Sequence, residues 1–562
     1  MPNYSAITHG DTTSAAGTSA SDEMTRPRRG KPHSKDGGGG TASMFSSVTN
    51  LLNTILGAGT LAMPSALSHF GIVLGVFVIL WSGFTSAFGL YLQSRCARYL
   101  DRGSSSFFAL SQLTYPNAAV IFDAAIAIKC FGVGVSYMII IGDLMPGVVE
   151  GFDSSATSVA YLMDRNFWIT VFMLVIIPLS FLRRLDSLKY TSIVALVAIG
   201  YLIVLVVYHF ASDTLAPRDK IRVIKWGGPV EALASLPVVI FAYTCHQNMF
   251  SILNEIKNNS PKRYCCIRSH HSRGPSFRLA NGFHSILGVI SSSIGSAAGV
   301  YVLVSITGYL SFGNDITGNI VSMYLPSIAS TIAKAAIVIL VTFSVPLQVH
   351  PCRASVDAVL KWRPNAISRT QGRTSSPNSR LLLPTATRSD HGPSAPMSEL
   401  RFAILTTILL VLAYSVALTV TSLERVLAYV GSTGSTSISF ILPGLFYYKI
   451  SDPDSIHHQR LTKEDDDALS VAASDGDDDD TDNEGADGPL SSSISSIRSG
   501  TSGTNTKTKG PKLPWRWRTK WRWDMEHLNP IHLRRASLAL AIYGFCVMLV
   551  CLAMNLVGNH AH

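Results

Sequence analysis

Charge is scarce in this chain: Asp, Glu, Lys and Arg together make up 15% of its 562 residues, while hydrophobic residues make up 47%. With a mean hydropathy of +0.28, that balance excludes a disordered chain and departs from ordinary soluble domains, where about a quarter of residues are charged. Enzyme signatures are missing as well. There is no Gly-rich phosphate loop, no GxSxG nucleophile turn and no His/Cys cluster at metal-ligand spacing. No enzyme is expected, no cofactor is called for, and any active transport must draw on an ion gradient. A disulfide framework is also lacking. Cys96, Cys130, Cys245, Cys352, Cys546 and Cys551 lie in or beside apolar runs, where a thiol behaves as a small hydrophobe. Cys265-Cys266 sits in a basic loop, where palmitoylation and an inert pair are both open. No short apolar stretch with a cleavage site stands in residues 1–43, so no secretory signal peptide is expected.

Long uncharged runs carry the hydropathy, and they predict an all-α polytopic membrane protein. Eleven candidate spans are expected at about Ser46–His69, Gly71–Arg95, Ala118–Val149, Phe167–Leu182, Tyr190–His209, Pro229–Glu255, Asn281–Phe312, Ile328–Cys352, Phe402–Ser422, Val426–Ile450 and Ala536–Val557. Basic residues alternate between loops in the manner of membrane topology. Arg95, Arg98 and Arg102, Arg183 and Arg184, Lys257 to Arg278, and Arg353 to Arg388 fall on one side. Only the loop with Arg218, Lys220, Arg222 and Lys225 is contrary. The N-terminus is therefore expected in the cytoplasm and the C-terminus on the far, lumenal side. The net charge of +10 is topology, not a nucleic-acid footprint, and no nucleic-acid partner is expected.

The expected organisation has four parts. Residues 1–43 read as a disordered cytoplasmic tail, and 44–450 as a ten-helix core with related halves at 46–210 and 229–450. Residues 451–534 form a cytoplasmic insertion, and 535–562 the eleventh span with a short lumenal end. The insertion is acidic at Glu464 to Asp467 and Asp475 to Asp480, a composition that stays disordered. It ends in Trp515 to Trp523, where Trp alternates with Arg or Lys, a pattern suited to an anionic lipid surface.

Two stretches carry the chemistry. Asn53 to Pro64, Asn-Thr-Ile-Leu-Gly-Ala-Gly-Thr-Leu-Ala-Met-Pro, lies within the first span. Glycine disfavours a helix interior by roughly 1 kcal/mol relative to alanine, so Gly57-Ala58-Gly59 beside Thr60 predicts a broken helix whose amides could bind an anionic group. The alternative is close helix packing through small residues. Asn53, Gly57, Thr60 and Pro64 also follow the spacing of one helix face. In the sixth span, Ala242, Tyr243, Thr244, Cys245 and His246 place polar groups at bilayer depth, which favours a cavity or interhelical contacts. If spans one to five and six to ten are related halves, these interruptions correspond, the best sequence pointer to a transporter site. Lys129 in the third span is an ion-coupling candidate, with snorkelling as the alternative. His246 is another, since the ordinary imidazole pKa of about 6.5 lies between an acidic lumen and a neutral cytoplasm. Asn53 and Ser344 could supply neutral oxygens to sodium. Gly431 to Thr436 could line a pathway or pack closely.

Asn50 to Pro64 resembles the first helix of the amino acid/auxin permease family, Phe241 to Glu255 its sixth, and Thr342 to Pro351 its eighth. Lys129 to Asp143 is most similar to the fungal vacuolar amino acid transporters and their sodium-coupled neutral amino acid relatives. The resemblance implies a LeuT-type fold of five plus five inverted helices with one extra. It implies an amino acid substrate with its carboxylate on amides of the broken first helix, and protons as the usual driving ion in the vacuolar branch. In the sodium-coupled relatives, residues matching Asn53 and Ser344 belong to the ion site. The reading that follows is a secondary amino acid transporter of a vacuole-like membrane. A sodium-coupled plasma-membrane carrier and a sensor without flux are its rivals.

Overall fold

The computed structural model describes residues 43–100, 105–182, 191–212, 215–256, 286–361, 397–460 and 530–560. The tail over 1–42, Cys265-Cys266, the loop from Arg363 to Arg388, the acidic runs and Trp515 to Trp523 lie outside the described residues.

The helices in chain order are α1 (Met44–Ile55), α2 (Ala58–Phe70), α3 (Ile72–Cys96), α4 (Phe107–Thr114), α5 (Ala119–Phe152), α6 (Ala160–Met163), α7 (Arg165–Ser180), α8 (Thr191–Ser212) and α9 (Pro229–Ala242). They continue as α10 (His246–Glu255), α11 (Ile286–Phe312), α12 (Ile320–Met323), α13 (Ile328–Lys361), α14 (Glu399–Thr419), α15 (Leu423–Val430), α16 (Leu442–Ile450) and α17 (Pro530–His560). Among the described residues, eight helical stretches are long and apolar enough to cross a membrane, and the pair α1–α2, bent by 53°, makes a ninth. Two expected spans look different. α7 is apolar but only 16 residues long. The tenth segment runs from α15 to α16 through two π-helical turns, Gly431–Ser435 and Ser437–Ile441.

Side-chain distribution is that of a protein in lipid. On α3, Val73, Phe77, Leu80, Trp81 and Phe84 are exposed, a stripe at helical spacing. The opposite face buries Ser82, Thr85, Ser86 and Gln93. Polar groups thus face the bundle and large apolar groups face outward, where a bilayer supplies their solvent.

Local chemistry sets the helix ends. Ser43 caps α1, its hydroxyl accepting from the Ser46 amide at 3.2 Å, the usual role of a serine there. Gly71 turns the chain between α2 and α3 with φ +77°, and a side chain there would also run into the Lys225 carbonyl. The turn is pinned by Ile72 N–H to Arg222 O at 3.0 Å and Val73 N–H to Val223 O at 3.1 Å.

The most extensive helix interface joins α5 to α13. The four half-helices pair across the breaks: α2 packs on α9, and α1 on α10.

Candidate functional site

The first break is narrower than the sequence suggested. Helix α1 ends at Ile55 and α2 begins at Ala58, so Ala58 and Gly59 are already helical and only Leu56 and Gly57 lie between. A two-residue interruption suffices because Gly57 N–H closes a tight turn onto Ile55 O at 2.9 Å. The bend also means that Asn53 does not share one helix face with Thr60 and Pro64. The opening turn of α2 has no side-chain cap, so its first amides rely on other partners. The second break falls at Tyr243–Cys245, and His246 is the first residue of α10.

The two breaks touch. A Cβ on Gly59 would stand 2.6 Å from Ala242 Cβ and 2.8 Å from Ala242 Cα, so only glycine permits this approach of α2 to α9. Tyr301 of α11 reaches both from the side. Its hydroxyl lies 2.7 Å from Ile55 O and 2.8 Å from Ala242 O. Its ring meets the edge of Tyr243 at a centroid distance of 5.1 Å. The Tyr243 hydroxyl is buried with no hydrogen-bond partner among the described residues. Below the breaks, Asn248 Nδ2 donates to Thr54 Oγ1 at 2.7 Å, linking α10 to α1.

His246 is fully buried, and its Nδ1 lies 3.1 Å from Ser439 Oγ in the second π turn. That hydroxyl also donates to Thr244 Oγ1 at 3.2 Å. Gln93 Nε2 of α3 donates to His246 O at 2.9 Å. Lys129 is buried at 3% exposure, not extended to a surface. It lies within electrostatic range of Cys245 and His246, so three of the predicted residues share one region. Gly434 packs directly on it: a Cβ there would be 2.9 Å from Lys129 Cβ. Close packing is therefore what the Gly-Ser-Thr run does at this position. Ser344 Oγ donates to Leu340 O of its own helix at 2.8 Å, and Asn53 is half-buried on α1.

Sequence reasoning missed three features. Tyr301 and Ser439 are ordinary residues within apolar runs and send no signal. The third is a charged cluster at the opposite end of α2. His69 Nδ1 lies 3.5 Å from Glu231 Oε2 and its Nε2 3.3 Å from Glu424 Oε1. Ser65 donates to Glu424 at 2.8 Å, Ser235 does so at 3.3 Å, and Arg222 lies 3.5 Å from Glu231. The cluster joins α2, α9 and α15. Asp143, which the sequence places near the far end of its span beside Pro146 as a cap or entrance residue, lies 3.5 Å from Arg165 of α7. A cavity of about 450 Å³ opens elsewhere, between α5 and the α14–α15 junction, lined by Phe131, Val135, Val416 and Tyr429 among others. None of the predicted substrate residues lines it.

Buried polar groups, outward apolar faces and two interrupted helices meeting in the core define a polytopic helical membrane protein. The chain belongs to the transmembrane amino acid transporter protein family, whose model matches residues 40–270 and 279–470, and the family is one of transporters, not enzymes. Over 414 residues the chain is 44% identical to Vacuolar amino acid transporter 5 of Schizosaccharomyces pombe, covering 73% of this chain and 86% of that one. It is 40% identical to Vacuolar amino acid transporter 6 of Saccharomyces cerevisiae, covering 73% and 90%. Sodium-coupled neutral amino acid symporter 2 of Danio rerio is more distant, at 23% identity over 74% and 77%. Likeness to a solved Na+-coupled sialic acid symporter is low, with a TM-score of 0.37 and 13% identity over 78% of this chain and 85% of that one.

Proposed function

We propose that this protein is a proton-coupled secondary transporter of amino acids in a vacuole-like membrane, working by alternating access around its first and sixth helices. The observation that carries the reading is the meeting of the two breaks: Gly59 against Ala242, with Tyr301 bonded to a carbonyl on each side. The substrate carboxylate binds the amides at Ala58, Gly59 and Thr60, where an uncapped helix start favours an anion. Gly57 gives the backbone its turn, and Ala242, Tyr243, Thr244 and Cys245 form the opposite wall. Identity to fungal proteins named as vacuolar amino acid transporters supports the substrate class and the membrane.

The eleven helices form two inverted repeats of five with one extra, the N-terminus in the cytoplasm and the C-terminus in the lumen. Protons act through His246 and Lys129, which lie beside the second break. Sodium at Asn53 and Ser344 is the competing coupling, and the engagement of Ser344 Oγ with its own helix weighs against it.

The test is uptake by the full chain in proteoliposomes. An imposed pH gradient without sodium should drive accumulation of labelled amino acids, and a protonophore should collapse it. Uptake that requires sodium and ignores the pH gradient would replace proton coupling by sodium coupling. Saturable binding without flux under either gradient would make the chain a sensor.

A further inference from the structure

We infer that the Tyr301 hydroxyl is a positioning group that stands in for the substrate's ammonium while the carrier is empty. It holds the two carbonyls at the breaks and yields them when an amino acid enters. The inference rests on the transport reading above.

In a continuous helix, Ile55 O would accept the amide of Gly59, and Ala242 O that of His246. Both helices are interrupted at those points. The two carbonyls, from different halves of the chain, converge on one phenol at 2.7 Å and 2.8 Å. Tyr301 is fully buried, so water is not the alternative partner. A phenol has one proton, and two acceptors at this distance divide it. Ile55 O keeps the turn bond from Gly57 N–H, whereas Ala242 O depends on this hydroxyl more heavily. The pair is therefore held together but under-supplied with donors. An ammonium has three donors and a positive charge, and in a buried site it satisfies two carbonyls better than a neutral hydroxyl can. The position suits an α-amino acid, because Ile55 O is next to the turn that leads into the α2 amides. One molecule would bring its carboxylate to α2 and its ammonium to the carbonyls, displacing Tyr301.

This account separates two parts of the transport cycle. The loaded carrier has the ammonium and does not use the hydroxyl. The empty carrier must change sides with the carbonyls capped by Tyr301. Tyr301→Phe keeps the ring and its contact with Tyr243 but removes the cap. Tyr309→Phe is the control: Tyr309 lies on the same helix, accepts from Arg222 N–H at 2.8 Å and donates to Asn314 Oδ1 at 2.8 Å, a purely architectural role.

The experiment compares net uptake into empty proteoliposomes with exchange into preloaded ones, using tritiated leucine, glutamine, histidine and lysine, normalised to inserted protein. For Tyr301→Phe the expected result is a loss of net uptake of about tenfold, with exchange within about twofold of wild type, as follows from one buried acceptor left without its donor. Half-saturation by the amino acid should fall about fivefold, while competition by the matching α-hydroxy acid stays unchanged. Tyr309→Phe should lower net uptake and exchange together. Equal loss of both fluxes in Tyr301→Phe, or unchanged half-saturation, overturns the inference and leaves the transport reading standing. Absence of flux in the wild type overturns both. If Tyr301→Phe fails to insert, 3-fluorotyrosine at position 301 of the otherwise native chain serves instead. Its fluorine resonance should shift on adding the amino acid and not on adding the hydroxy acid; equal shifts, or none, overturn the inference.

Discussion

The broken ends of α2 and α9 and their far ends are built from different materials. At the broken ends, Gly59 and Ala242 touch, and neutral groups do the joining: one phenol, two carbonyls and the hydroxyls of Thr244 and Ser439. At the far end the same two helices are tied by His69, Glu231 and Glu424, with Arg222 alongside. An imidazole facing carboxylates on both nitrogens satisfies both only when it carries two N–H groups. The difference teaches that backbone and hydroxyl groups suffice to join the two helices at their breaks, where further unpaired buried charge would be far more costly. Paired charge sits at the other end, where the half-exposed His69 has carboxylate partners.

Six substitutions would break or sharpen that contrast, and the largest effect is expected at the contact itself. Gly59→Val should abolish transport while leaving the protein inserted, because its side chain must displace Ala242 at 2.6 Å. Overpacking of about 1–3 kcal/mol corresponds to roughly five- to 150-fold, and flux counting checks it. Gly57→Val is milder, its Cβ meeting only Tyr137 Oη at an ordinary 3.5 Å. Next come the two histidines, measured side by side. His246→Ala should flatten the pH profile of transport more than it lowers substrate affinity, whereas His69→Ala should change the rate and keep the profile's shape. The reverse outcome would move the proton site to the rim. Lys129→Ala should reduce pH-driven accumulation and keep exchange, which uptake and counterflow assays distinguish. The smallest effect belongs to Arg222→Ala. Its contact with Glu231 is partly exposed, with side-chain exposures of 34% and 50%. Such pairs contribute about 0–1 kcal/mol, so flux should stay within about fivefold.

Most of the helical layout was legible because apolar runs of spanning length leave few alternatives. Both interruptions were legible for a related reason: Gly57 and Gly59, or Thr244 to His246, are conspicuous inside such runs. Lys129 was visible as the one cation in its span, but only its burial at 3% decided against snorkelling. The joining residues were not legible. Tyr301 looks like any aromatic in an apolar helix, and what singles it out is the convergence of Ile55 O and Ala242 O. Glu424 at the head of α15 carries no mark of its partner Ser65, 359 positions away. The narrower first break was hidden because Gly59 serves helix contact, not chain bending, and glycine looks the same in either role.

The central claim, that the substrate binds where the two breaks meet, is tested most directly at Cys245, a buried native thiol at the second break. The other seven of the eight cysteines would be replaced by alanine or serine, and modification by a small maleimide followed during transport. The account predicts slow labelling of Cys245, slowed further by a transported amino acid in proportion to its saturation of flux. Labelling that stays constant at saturating substrate, while transport continues, would contradict it and put the binding site elsewhere in the bundle.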